Sequence, residues 1–70
     1  MLRFENKTNG RYFYVMRSED ILNNLVLTII RGGRKARVVR HYGYDCRLKI
    51  DEEIKRLTKR RIKRGYVLLD

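Results

Sequence analysis

Six consecutive uncharged residues, Leu25-Val26-Leu27-Thr28-Ile29-Ile30, are followed after Arg31 by the pair Gly32-Gly33. The run is too short for a good helix and rich in β-branched side chains, so it predicts a strand. Its lack of polar alternation predicts a central strand covered on both faces. Strand character resumes at Arg37-Val38-Val39-Arg40-His41-Tyr42. The residues between, Arg31-Gly32-Gly33-Arg34-Lys35-Ala36, then form a hairpin connection in which glycine supplies the positive φ. Such a hairpin sets basic side chains around its tip.

Upstream, residues 1–10 are polar and end in Thr8-Asn9-Gly10, a turn. Arg11-Tyr12-Phe13-Tyr14-Val15-Met16-Arg17 is aromatic and branched and predicts another strand. Ser18-Glu19-Asp20 interrupts it, and Ile21-Leu22-Asn23-Asn24 is expected as a loop with an apolar anchor. From Asp45 the apolar period changes. Cys46, Ile50, Ile54, Leu57, Thr58 and Ile62 recur near every third or fourth position and line one helical face. Asp45 is the expected N-cap, with Asp51 the alternative for a shorter helix. Gly65 suits the left-handed stop. Tyr66-Val67-Leu68-Leu69 follows as a short last strand or a tail on the sheet. The pattern predicts an α+β fold, a small antiparallel β-sheet of three to four strands with one helix packed across it.

Seventy residues make one domain at most, 1–70, whose small size buries a modest share of its surface. Eighteen Lys and Arg stand against eight Asp and Glu, a formal net charge of +10. Self-repulsion of that size destabilises the compact state, and a negatively charged partner offsets it. Nucleic acid, an anionic membrane surface and an acidic protein are the three partner classes. The apolar runs at residues 25–30 and 66–69 are far too short to span a bilayer. Residues 1–5 lack the apolar stretch of a signal peptide. Cys46 is the single cysteine and makes no disulfide within the chain, so a reducing, cytoplasmic setting is expected.

The order of features resembles the WGR domain, named for its Trp-Gly-Arg signature. The resemblance rests on the Tyr12-Phe13-Tyr14 strand, the link Glu19-Asp20-Ile21-Leu22-Asn23-Asn24 and the stretch from Leu25 through Arg34. It rests also on a helix ending Arg60-Arg61-Ile62-Lys63-Arg64-Gly65-Tyr66, and covers about residues 11–69. The family occurs in poly(ADP-ribose) polymerases and in short bacterial proteins. The resemblance implies a sheet flanked by a helix, DNA or RNA binding, and contacts between domains. The signature Trp is replaced: its position falls on Arg31, or on Gly32 if the strand shifts by one. The signature Arg position holds Gly33, with Arg34 one step later. Arg31 offers a flat guanidinium for stacking in place of the apolar contact that a Trp makes with a nucleotide sugar.

Two basic surfaces are the expected binding site. At the hairpin these are Arg31, Arg34, Lys35 and Arg37, with Gly32 and Gly33 letting a phosphate approach the backbone. On the helix, Lys55, Arg56, Lys59, Arg60, Lys63 and Arg64 form two rows opposite the apolar face, with Lys59, Arg60, Lys63 and Arg64 the expected phosphate contacts. Among Tyr12, Phe13, Tyr14, Tyr42, Tyr44 and Tyr66, most are needed for the core, leaving one or two for stacking on unpaired bases.

Catalytic chemistry is thinly represented. His41 is a lone strand histidine, and Cys46 beside Asp45 gains no activation from a carboxylate. One His and one Cys make no closed zinc site, and the consecutive Asp51, Glu52 and Glu53 diverge around a helix. No P-loop or dinucleotide fingerprint is present. No enzyme, cofactor or metal is expected. The expected function is electrostatic, weakly sequence-specific nucleic-acid binding, with docking of an acidic protein partner or neighbouring domain as the alternative.

Overall fold

Period-two alternation decides which side of each strand meets the helix, and the strands over residues 2–6, 11–19 and 25–32 share one inward pattern. The computed structural model describes residues 1–22, 24–34 and 36–69. Its strands are β1 (Leu2–Asn6), β2 (Arg11–Glu19), β3 (Leu25–Gly32), β4 (Arg37–Tyr44) and β5 (Val67–Leu68), with helix α1 (Arg47–Lys63) between β4 and β5. They form a single antiparallel sheet in the order β4-β3-β2-β1-β5. This is an α+β fold, with the helix packed across one face.

β1 is one strand more than the sequence pattern predicts, and it occupies residues expected to be a polar lead-in. Its alternation is real: Phe4 and Asn6 are buried while Arg3 is exposed. The turn at residues 7–10 stands where expected, closed by the Gly10 amide donating to the Asn6 carbonyl at 2.8 Å. Gly10 has φ +74, which only glycine adopts cheaply. β2 runs on through Ser18 and Glu19 rather than breaking there, because all of its register with β3 is kept to Glu19↔Leu25. The loop after it has no apolar anchor: Ile21 is 98% exposed and Leu22 75%. The Asp20 carboxylate organises that loop instead, accepting from the amides of Leu22 and Asn24 at 2.8 and 2.9 Å. These donors, Asn24 first, hold the Asp20 pKa below its ordinary value. Asn23 lies outside the described residues.

The core gathers where inward residues of β1, β2 and β3 meet α1: Phe4, Phe13, Val15, Leu25, Leu27, Ile50 and Leu57. Phe4 and Phe13 meet edge to face, with ring centroids 6.4 Å apart. Contrary to the expectation for an uninterrupted apolar strand, β3 is covered on one face only. No described element lies over its other side, which carries Val26, Thr28 and Ile30. Thr28 is buried there by its neighbours, its hydroxyl 3.0 Å from His41 Nδ1.

The helix is capped one residue later than expected and begins at Arg47. Cys46 is the N-cap, extended and without a side-chain hydrogen bond, so neither Asp45 nor Asp51 caps the helix. Asp45 sits one position too early and pairs with Lys49 at 3.6 Å. The buried stripe is Ile50, Leu57 and Arg61, with Ile54 packed beside it. Ile62, expected on this face, is 55% exposed. At about 100° per residue it stands roughly 120° around the helix from Ile50, whereas Arg61 falls within about 20° of it.

Candidate nucleic-acid interface

Chain reversal after α1 builds the site. Gly65 at φ +89 lets the Tyr66 amide donate back to the Arg61 carbonyl at 3.0 Å and the Gly65 amide to Ile62 at 3.1 Å. This is a Schellman closure, and it turns Tyr66 back over the last helical turn. The Asn6 side-chain amide adds a long 3.5 Å contact to the Arg64 carbonyl, tying the helix end to β1.

Arg61 is caught in that closure. Its guanidinium carbon lies 4.1 Å from the Phe13 ring centroid and 5.4 Å from that of Tyr66. Only 8% of the residue is exposed, and its Nε has no hydrogen-bond partner. Burial pushes its pKa below the ordinary arginine value, a shift the Tyr66 side chain opposes. Arginine nevertheless stays charged in proteins. A buried cation held by ring faces and the Tyr66 side chain, with its Nε unpartnered, is electrostatically incomplete, since such contacts offset less of the desolvation than a carboxylate or phosphate does.

Two clefts meet at this residue. The first, about 460 Å³, is lined by Arg11, Arg31, Arg61 and Arg64 together with Asn6, Asn9, Tyr12, Tyr66 and the Gly32-Gly33 backbone. The second, about 260 Å³, joins Arg31 and Arg61 to Arg40, Arg56 and Arg60 under Tyr42 and Tyr44. Glu53 is the carboxylate in the second cleft. Arg56 donates to it, and that hydrogen bond is the main reason its pKa falls below the ordinary value. Burial raises the Tyr44 pKa, with the Glu53 charge adding to it. Among the described residues, no acidic side chain lines the first cleft.

Gly32 is a glycine for space rather than for backbone sign. Among the described residues positive φ falls at Gly10 and Gly65, not at the hairpin glycines as expected. A Cβ on Gly32 would stand 2.5 Å from the Ala36 carbonyl oxygen and 2.7 Å from the Tyr12 hydroxyl. The hairpin closes tightly here, with the Gly33 amide donating to Ala36 at 3.1 Å. Tyr12 folds over the glycine from the neighbouring strand.

Of the expected site residues, Arg31, Gly32, Gly33 and Arg64 come together in the first cleft, and Arg60 joins the second. Arg34, Arg37, Lys59 and Lys63 are exposed and line neither cleft. Lys35 lies outside the described residues. Sequence reasoning missed Arg11, Arg40, Arg61 and the polar pair Asn6 and Asn9. Arg61 had a signal, the four-three-four spacing from Ile50 through Ile54 and Leu57. Arg11 had none, since its place depends on the strand register.

The opposite end of the molecule is wired differently. Arg17 pairs with Asp51, and Arg47 with Glu19 at 2.7 Å, beside the Lys49–Asp45 pair. Among the described residues no ion pair involves Arg11, Arg31, Arg61 or Arg64. No described group of His, Cys, Asp and Glu is arranged to hold a metal, and no described helix is long and apolar enough to cross a membrane. No family model matches the chain, and neither the curated proteins nor the solved structures yield a match.

Proposed function

We propose that this chain is a WGR-like nucleic-acid-binding module that holds phosphates by charge and reads little base sequence. The observation that carries the reading is Arg61, a desolvated guanidinium with an unmet donor where two arginine-lined clefts join. A phosphate oxygen supplies the acceptor and the negative charge that this position lacks. Arg11, Arg31 and Arg64 surround the same space, and phosphate contacts of this kind position a nucleic acid without specifying its sequence. Resemblance to the WGR family supports the same reading, with Arg31, or Gly32 if the strand shifts by one, at the place of the signature Trp.

Titration against duplex and single-stranded DNA and RNA at two salt concentrations tests this. If about five phosphates are neutralised, affinity falls roughly four to five decades for a tenfold rise in salt. Affinity that ignores salt contradicts it. Pull-down with and without nuclease gives a second arm. Partners that stay bound after nuclease treatment assign the same clefts to an acidic protein instead.

A further inference from the structure

The sheet face turned away from α1 carries aromatic and apolar side chains with no described element over them. Alternation along the register sets Tyr12, Tyr14 and Met16 of β2 on this face, beside Ile30 of β3 and Val39 of β4. The Tyr12 and Tyr14 rings lie 5.0 Å apart, tilted by 33° to each other. Both are partly exposed, and Met16 and Val39 are exposed outright. A contiguous patch of this character marks a contact surface.

Two observations choose the occupant. The first is charge. Among the described residues Glu5 is the one carboxylate that the strand register sets on this face, and Arg37 stands on it too, in a chain of net charge +10. A second copy of the chain would bring another +10 toward it, whereas a phosphodiester chain is attracted. The second is continuity. Tyr12 borders the arginine cleft as well as this face, so the two surfaces share an edge. Arg31 and Tyr14 stand on opposite faces, and a strand leaving the cleft past Tyr12 meets the face that carries Tyr14.

We infer that this open face stacks the unpaired bases of a single-stranded nucleic acid, chiefly on Tyr14, while the adjoining cleft holds its phosphates. The inference rests on the nucleic-acid reading above and adds to it the strandedness and the stacking residue. Stacking on tyrosine tolerates any base, because every base has a π-face, so it fits binding without sequence preference. A duplex keeps its bases stacked inside and engages the cleft alone. Arg37, which lines neither cleft, gains a place beside the path of the strand.

The test compares three probes at low salt by fluorescence anisotropy. They are an oligothymidylate of about twelve nucleotides, an abasic phosphodiester oligomer of equal length, and a duplex of the same length. The unaltered protein binds the oligothymidylate about tenfold more tightly than the abasic oligomer. Tyr14→Leu, which keeps an apolar strand residue, removes that preference and leaves the abasic affinity in place. Tyr14→Phe retains the preference. Equal affinity of the unaltered protein for thymidylate and abasic oligomers overturns this inference and leaves the phosphate reading standing. Failure to bind any of the three probes overturns both. A dimer in sedimentation that Tyr14→Leu dissociates, with no base preference, assigns the face to a second copy and overturns the inference as well. The first comparison uses the unaltered protein, so the outcome does not hang on how any variant folds.

Discussion

The two ends of the helix both carry cations, more of them at the C-terminal end, and treat them in opposite ways. At the N-terminal end, Arg17, Arg47 and Lys49 each meet a carboxylate supplied by β2, the β4–α1 junction or the helix itself. At the C-terminal end, Arg11, Arg31, Arg61 and Arg64 line one cleft in which no described residue is acidic. The difference shows why a net charge of +10 says little about a site until it is distributed. Exposed pairs at the first end contribute little stability each, yet they neutralise it. Charge remaining at the second end is concentrated by that pairing, and burial of Arg61 raises the electrostatic cost of leaving it empty.

Removing two charges from each end separately sharpens the contrast most. Arg31→Gln with Arg64→Gln lowers affinity for a polyanion by roughly 10- to 100-fold and flattens the log–log salt slope by about 1.8. Arg47→Gln with Lys49→Gln makes the same change in net charge and costs less than about twofold. Equal losses from the two pairs would mean that total charge, not its placement, sets affinity.

Gly32→Ala attacks the geometry of the cationic end. The added Cβ meets the Ala36 carbonyl and the Tyr12 ring, neither of which yields easily. Stability should drop by about 2 kcal/mol in urea denaturation, as overpacking does elsewhere. A neutral result would show that the hairpin relaxes freely and that Tyr12 is not tightly seated.

Arg61→Leu separates stability from binding. Removing a buried cation that lacks an anionic partner costs the unliganded fold little, because lost ring contacts are balanced by a cheaper desolvation. Urea midpoints should stay within about 1 kcal/mol of the original while polyanion affinity falls roughly tenfold. Collapse of stability with affinity intact would make Arg61 a packing residue only.

The smallest effect concerns acid. Asp20 and Glu53 both have pKa values lowered in the folded chain, Asp20 by amide donors from Asn24 and Glu53 by Arg56. Their stabilising contribution is therefore fully present above the ordinary carboxylate range and is lost as pH falls through the folded values. Thermal midpoints should decline on acidification, and Asp20→Asn should make that decline shallower. Arginines of the cationic end do not titrate in this window. A Tm profile unchanged by Asp20→Asn would show that the β2–β3 loop adds nothing to the paired end.

Much of this architecture was legible in the residues, and the failures have physical causes. β2, β3, β4 and the helix announced themselves through aromatic content, β-branching and a change of period. β1 did not, because Asn6 is its third inward residue and a polar side chain there reads as the start of the turn. The last helical turn was misread because Ile62 is apolar and Arg61 is not, while angular position favours Arg61. Stacking between Phe13 and Tyr66 buries a guanidinium that hydropathy places outside. Hairpin and helix-end cations were expected to bind, and Arg31 and Arg64 do share a cleft. Arg11 reaches it only through the pairing of β2 with β3, which the sequence does not specify.

Mapping amide chemical-shift changes by NMR during titration with a short single-stranded oligonucleotide addresses the central claim directly. Placement of the bound strand at one end predicts the largest changes at residues 11–14, residues 31–33 and residues 61–66, with Glu19, Asp20 and residues 45–49 unmoved. Shifts centred on those latter residues, or spread evenly over every cationic position, would contradict it.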